Sequence, residues 1–173
     1  MRYEFCPKCG VKLAARNAGD DGLVPYCAEC DRYWFDSFAS CVIVLVHDGA
    51  GHVVVARQSY ISQDYGLFTS GFIAPGESAE AAATREVREE LGVEPLDLAY
   101  AGSYWYAPGE MLMHGFVCRA GGRELRLSEE VDSARWVPED DVPKEVSPDV
   151  AAVGVFKAYL EMRGKRTDWE AEL

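Results

Sequence analysis

No stretch of this sequence approaches the ~18 consecutive apolar residues that a membrane-spanning helix needs. The opening Met1-Arg2-Tyr3-Glu4-Phe5-Cys6 also lacks the apolar core of a secretory signal. Both absences speak against a membrane partner and an oxidising compartment, and the expected location is the cytoplasm. Positive charge is scarce as well: 17 Lys and Arg stand against 29 Asp and Glu, a formal net charge of -12. Coulomb attraction will not gather nucleic acid or phosphate ligands onto such a surface, so a phosphorylated ligand would need bridging cations. Plain solubility explains the acidity equally simply. What the chain does have, 49% apolar and 27% charged residues, is the balance of a soluble globular protein. Its 173 residues suffice for one catalytic domain with a full core and a small appendage held by something other than its own core.

The appendage is visible at the start. Cys6-Pro7-Lys8-Cys9 and Cys27-Ala28-Glu29-Cys30 are two CxxC pairs with 17 residues between them, the spacing of a zinc ribbon whose two knuckles deliver four thiolates to one tetrahedral ion. Gly10 suits the turn after the first knuckle, and Asn17 to Gly22 reads as the loop between two short strands. Two disulfides, which a reducing cytosol disfavours, and a redox CxxC, which usually occurs once at a helix start, are the competing readings. Four thiolates would close the coordination shell, so the Zn²⁺ at Cys6, Cys9, Cys27 and Cys30 is expected to be structural. Lys8, Lys12, Arg16 and Arg32 are interspersed with Glu4, Asp20, Asp21, Glu29 and Asp31, so no basic stripe marks a nucleic-acid face. Cys41 and Cys118 sit within apolar runs and read as small buried hydrophobes.

After the ribbon, Cys41 to Val46 and His52 to Arg57 flank Asp48-Gly49-Ala50-Gly51 and predict two buried strands joined by a turn. A third apolar stretch, Leu67 to Ile73, stops at Ala74-Pro75-Gly76-Glu77. A helix is predicted from Ser78, which can cap it, to Leu91, with Gly92 just past its end. At about 100° per residue, Glu86, Glu89 and Glu90 share one face of that helix, beside an apolar stripe of Ala83, Val87 and Leu91. Three carboxylates that close suit a hard divalent cation, Mg²⁺ or Mn²⁺. A solvated face with Arg85 paired to Glu89 is the equal alternative on helix geometry alone.

Gly71, Glu77, Arg85, Glu86, Val87, Glu89, Glu90, Gly92 and Val93 together reproduce the signature of the Nudix hydrolases, G-x5-E-x7-R-E-U-x-E-E-x-G-U with U aliphatic, without a departure. The resemblance implies an α+β Nudix fold, a mixed β-sheet sandwiched between helices. It also implies metal-dependent hydrolysis of a nucleoside diphosphate linked to another group. Carried over position by position, it makes Glu86, Glu89, Glu90 and the Gly71 carbonyl ligands of the catalytic metal, and Arg85 with Glu77 an orienting pair. A further glutamate outside the signature commonly assists in the family. Glu130, six residues before Trp136-Val137-Pro138 and placed like the ligand-bearing loop of related hydrolases, is the candidate for a further metal ligand and catalytic group, with Glu129 or two merely solvated acids as alternatives. Which glutamate acts as base is left open.

A four-cysteine ribbon directly before such a domain resembles the bacterial NADH pyrophosphatases, which cut NADH into reduced nicotinamide mononucleotide and AMP. The expected substrate is accordingly a small nucleotide, NADH first and ADP-ribose or another nucleotide as the alternative. A binding-only sensor is the reading from a different class. NAD-capped RNA is a further substrate, disfavoured by the missing basic groove, and a homodimer is implied only by the resemblance. Phe72 matches an aromatic position of those enzymes and is a base-stacking candidate, with Phe35 second. Ser103 to Met111 departs from that family's S-Q-P-W-P-F-P-x-S motif after the first serine, which puts the NADH determinants in doubt. The expected domains are a ribbon over 1–36, a Nudix hydrolase domain over 37–165 and a tail over 166–173. Ser147-Pro148-Asp149 predicts a cap, a first helical position and a first-turn acid for a packing helix running to Gly164, followed by a frayed tail from Lys165.

Overall fold

The computed structural model describes residues 3–172. It divides into two compact units, Met1–Phe38 and Ala39–Leu173. The first is a three-stranded antiparallel sheet, β1 (Ala14–Asn17), β2 (Leu23–Cys27) and β3 (Arg32–Tyr33), with β2 in the middle. Both knuckles close in the left-handed region, at Gly10 (φ 76°) and at Asp31 (φ 48°), each directly after the second cysteine of its pair. Glycine makes the first closure free of strain. The second is taken by an aspartate, one of the residues that tolerate this conformation.

The second unit is built on β4 (Ala39–His47). This strand pairs in parallel with β8 (Met111–Ala120) along its whole length, from Ala39 opposite Met111 to His47 opposite Arg119. Its other edge is shared. β6 (Thr69–Phe72) takes Cys41 to Val44, and β5 (His52–Arg57) takes up near His47. β7 (Pro95–Tyr106) and β9 (Ser133–Pro138) complete a six-stranded mixed sheet, with the order β7-β8-β4-β5-β9 and β6 beside β4.

Helices cover both faces: α1 (Ala79–Leu91) one, and α3 (Val150–Met162), reached through the short α2 (Val142–Glu145), the other. That sandwich explains the unbroken apolar run of β4. Val42, Val44 and Val46 pack with Ala82, Ala83, Val87 and Leu91 of α1, while Cys41, Ile43 and Leu45 pack with Val155, Phe156 and Tyr159 of α3. Successive side chains of a strand alternate between faces, so a central strand buried on both sides must be apolar at every position. Cys41 and Cys118 are both buried within this packing.

Two expectations for the C-terminal segment need correction. The helix begins later than Ser147: Asp149 is its cap, and its Oδ1 accepts the backbone N–H groups of Ala151 and Ala152, both at 2.9 Å. A carboxylate reaching two free N–H groups satisfies the helix start better than one hydroxyl can. The following tail is not frayed over its described residues. Lys165 pairs with the buried Glu139, the Trp169 ring lies edge-on to Phe156 at 5.5 Å, and the Glu172 N–H donates to the Pro148 carbonyl at 2.8 Å. Apolar burial of the Trp169 ring supplies what a polar sequence does not advertise.

Candidate active site and zinc-ribbon centre

The helix α1 starts on Ser78, whose Oγ accepts the Ala81 N–H at 3.2 Å, and stops at Gly92, which takes φ 66° and donates to the Arg88 carbonyl. Its apolar stripe is held against β4, which turns Glu86, Glu89 and Glu90 toward the end of β6. There a cleft of about 880 Å³ opens, lined by all three glutamates together with Arg85, Gly71, Phe72 and Glu130. Glu129 is not among the lining residues, so the geometry separates the two candidate acids.

Arg85 organises this wall. Its Nε and Nη2 grip the Glu77 carboxylate at 2.8 and 2.9 Å, its Nη1 reaches Glu86 at 2.6 Å and Glu89 at 3.0 Å, and Nη2 also donates to the Phe72 carbonyl at 3.0 Å. The guanidinium and the Ala74 N–H hold the Glu77 carboxyl down to about 2. Burial raises the Glu86 carboxyl, partly offset by Arg85. The same cause pushes Glu90 up to about 7 against the lowering effect of the Gln58 amide. Arg85 is one cation shared among three carboxylates, and among the described residues no ion pair reaches Glu90 or Glu130.

The absence of a side chain at Gly71 is part of the same arrangement. A Cβ there would lie inside the Glu86 carboxylate, although the backbone φ is unexceptional. Gly71→Ala should therefore move Glu86 without breaking the pairing of β6 with β4. The expected loss is about 1–3 kcal/mol of stability, the usual scale for overpacking. A larger fall in metal-dependent turnover should accompany it. Thermal unfolding and initial rates compared on one preparation test this, and wild-type rates in the variant would refute the positional role of Gly71.

The donor set fits a hard divalent cation: carboxylate oxygens at the cleft, a surplus of negative charge, and a buried Glu90 Oε2 that makes no hydrogen bond to the described residues. Among the described residues the glutamate oxygens are spread more widely than the cysteine sulfurs.

Several residues that line the cleft carry no local sequence signal. Cys41, Ile43, Phe68, Met111 and Met113 form an apolar, sulfur-rich part, and Tyr60 and Ile61 border it from the loop after β5. Register along β4 and β8 brings Cys41 opposite Met113, a juxtaposition that no window of the sequence displays. The aromatic segment divides. Tyr106 lines the cleft, whereas the Tyr104 ring packs against Gly115 and Gly154 and its hydroxyl donates to the Ala101 carbonyl at 2.6 Å. Phe72 is 63% exposed at the cleft, and Phe35, 54% exposed, belongs to the other unit, where it stands beside Tyr33.

In the first unit the sulfurs of Cys6, Cys9, Cys27 and Cys30 all lie within 4.8 Å of one another, with Cys6 to Cys30 at 3.9 Å and Cys9 to Cys27 at 3.5 Å. No pair is at bonding distance for a disulfide. The edges of a tetrahedron with ~2.3 Å metal–sulfur bonds are about 3.8 Å, so the cluster has the size that zinc requires. Burial alone would raise the Cys6 thiol, but the N–H groups of Cys9 and Lys8 directed at it bring it down to about 6. Cys30, facing Cys9 and the other sulfurs, is pushed up to about 12. Such crowding of thiols calls for a cation. Two arginines of this unit are engaged on aromatic rings: Arg16 lies over the Tyr26 ring at 4.2 Å and Arg32 over Trp34 at 4.3 Å.

Comparison with known proteins agrees with this geometry. Residues 37–154 match the model of the NUDIX domain. The NAD-capped RNA hydrolase NudC of Stutzerimonas stutzeri is 32% identical over 163 residues, 94% of this chain and 58% of that protein. The protein of the same name from Pseudomonas aeruginosa is 31% identical over 160 residues, 92% of this chain and 56% of its own length. The chain thus spans a little over half the length of these curated relatives. In fold, a NUDIX hydrolase from Nitrosomonas europaea superposes with a TM-score of 0.69 at 16% identity, covering 99% of this chain and 97% of that one. Among the described residues no helix is long and apolar enough to cross a membrane. With its matched domain, its unbroken signature and its mixed sheet between helices, the chain belongs to the Nudix family.

Proposed function

We propose that this chain hydrolyses the diphosphate linkage of a nucleoside diphosphate derivative, with NADH, split into reduced nicotinamide mononucleotide and AMP, as the favoured substrate. The observation that carries the reading is the two-sided cleft. One wall holds Glu86, Glu89, Glu90 and Glu130, the other is apolar and aromatic, and its volume of about 880 Å³ lies in the upper range for small-molecule sites.

The four glutamates and the Gly71 carbonyl would hold Mg²⁺ or Mn²⁺. Such an ion lowers the pKa of a bound water and neutralises charge on the phosphoryl oxygens. Arg85, clamped by Glu77, keeps Glu86 and Glu89 at fixed positions and ties α1 to the Phe72 carbonyl. Glu130, which lines the cleft, is the candidate to take the proton from an attacking water. The exposed rings of Phe72 and Tyr60 offer faces on which a base can stack. The names of the curated relatives bring NAD-capped RNA forward as a second reading, although the net charge of -12 and the stacked arginines of the ribbon favour the small molecule.

The test offers zinc-loaded protein with Mg²⁺ or Mn²⁺ to NADH, NAD, ADP-ribose, nucleoside triphosphates and NAD-capped RNA separately, identifies products by mass, and uses Glu89→Gln as control. Fastest release of AMP from NADH, lost in the control, is expected. Faster cleavage of another substrate would keep the chemistry and discard the NADH assignment. Nucleotide binding without any turnover would replace the enzyme reading with that of a sensor.

A further inference from the structure

Gln58 immediately follows β5 and is 1% exposed, an unusual burial for an amide side chain. Its Nε2 donates to Glu90 Oε1 at 2.8 Å, and Glu90 itself is 3% exposed. The other oxygen of that carboxylate, Oε2, is buried and makes no hydrogen bond of good geometry to the described residues, with the equally unpaired Thr69 hydroxyl near enough to favour its charged form. The backbone of Gln58 is fixed independently: its carbonyl accepts the N–H groups of Ile61 at 2.9 Å and Ser62 at 3.1 Å, and the next N–H, that of Ser59, donates to Asp132 at 2.6 Å.

The wall thus uses two devices. Glu86 and Glu89 are held by a guanidinium, which neutralises what it orients. Glu90 is held by a neutral amide, which orients a carboxylate and leaves its full charge available. We propose that Gln58 is the positioning residue of Glu90, locking Oε1 so that Oε2 alone is presented to a divalent cation in the cleft. The inference rests on Glu90 being a metal ligand. Partners that orient metal ligands typically change metal affinity or activity 10–100-fold when removed.

The test is Mn²⁺ binding to the zinc-loaded protein, read from the paramagnetic resonance of the free ion, for wild type, Gln58→Met, Glu90→Gln and the double variant. Methionine keeps the length of the side chain and removes the donor. Gln58→Met should weaken Mn²⁺ binding about 10-fold or more, leave KM for the nucleotide at saturating metal within about two-fold, and add little to the loss already caused by Glu90→Gln. Wild-type protein supplies a measurement that does not depend on the variant folding: the Gln58 side-chain amide should exchange slowly and its ¹⁵N resonance should shift on titration with Mg²⁺. Unchanged Mn²⁺ affinity in Gln58→Met, a loss fully additive to that of Glu90→Gln, or a Gln58 amide indifferent to Mg²⁺ would each overturn the inference. If Glu90→Gln itself leaves Mn²⁺ affinity unchanged, the assignment of Glu90 as a ligand fails instead, and the inference falls with it.

Discussion

Replacing Glu90 with glutamine should lower metal-dependent turnover on the order of 10³-fold, about 4 kcal/mol of transition-state stabilisation, while making the metal-free protein more stable. The two effects share one cause. Glu90 is a buried carboxylate beside Glu86 that forms no ion pair with the described residues, and burial pushes it from 4.5 to about 7. Because its folded-state pKa is raised, it costs nothing while protonated at low pH. It destabilises the fold progressively as pH rises from about 4.5 to about 7. Above neutrality the cost is on the order of 3 kcal/mol. Glutamine does not titrate, so the stability gap between variant and wild type should open across that window. Added Mg²⁺ should close it by stabilising the wild type more. Thermal melts of both proteins at several pH values, with and without Mg²⁺, measure this directly. A variant that is inactive and also less stable at pH 8 without metal would show that Glu90 holds the fold together and is not kept at a stability cost for the chemistry.

Cys27→Ser should unfold residues 1–38 while leaving the sheet and helices of 39–173 intact. Within the first unit, Cys6, Val24, Pro25 and Cys27 are the buried apolar residues among those described, far too small a core to fold a segment of this length. Zinc bound by four thiolates contributes on the order of 10 kcal/mol to such a fold, and removing one ligand forfeits much of it. The second unit has its own two-sided core and should survive the change. Limited proteolysis should trim the variant to a stable fragment beginning near Ala39, whereas the zinc-loaded wild type stays whole. Equal protection of the first unit in both proteins would refute the zinc assignment. Loss of the second unit as well would refute its independence.

The parts of this molecule that were legible in the sequence are those written by short-range rules. Glu86, Glu89 and Glu90 share a face because a helix repeats every 3.6 residues, and Ser78 and Gly92 mark its ends by their own chemistry. The CxxC pairs announce themselves because thiols at that spacing can reach one ion. The strand β6 is shorter than the apolar stretch that suggested it, because its ladder with β4 covers Thr69 to Phe72, while Leu67 turns to Ala56 of β5 and Ile73 keeps a single bond to the Ser40 carbonyl. Tyr104, Trp105 and Tyr106 look alike in sequence. Alternation along β7 sets Tyr104 and Tyr106 on the face that packs with α3 and Trp105 on the opposite one, and the space left by Gly115 and Gly154 seats Tyr104 deeper in the packing while Tyr106 also lines the cleft.

By itself, then, the sequence determined the family, the signature carboxylates and the four thiols, since each follows from residues close enough in the chain to obey one local geometry. Only the tertiary structure decided that Gln58 grips Glu90 across 32 positions, that Glu130 and not Glu129 reaches the cleft, and that Cys41, Met111 and Met113 line its apolar part. Those choices depend on strand register and on which helix covers which face of the sheet. Both are set by the burial of whole elements against one another, and no local pattern encodes them.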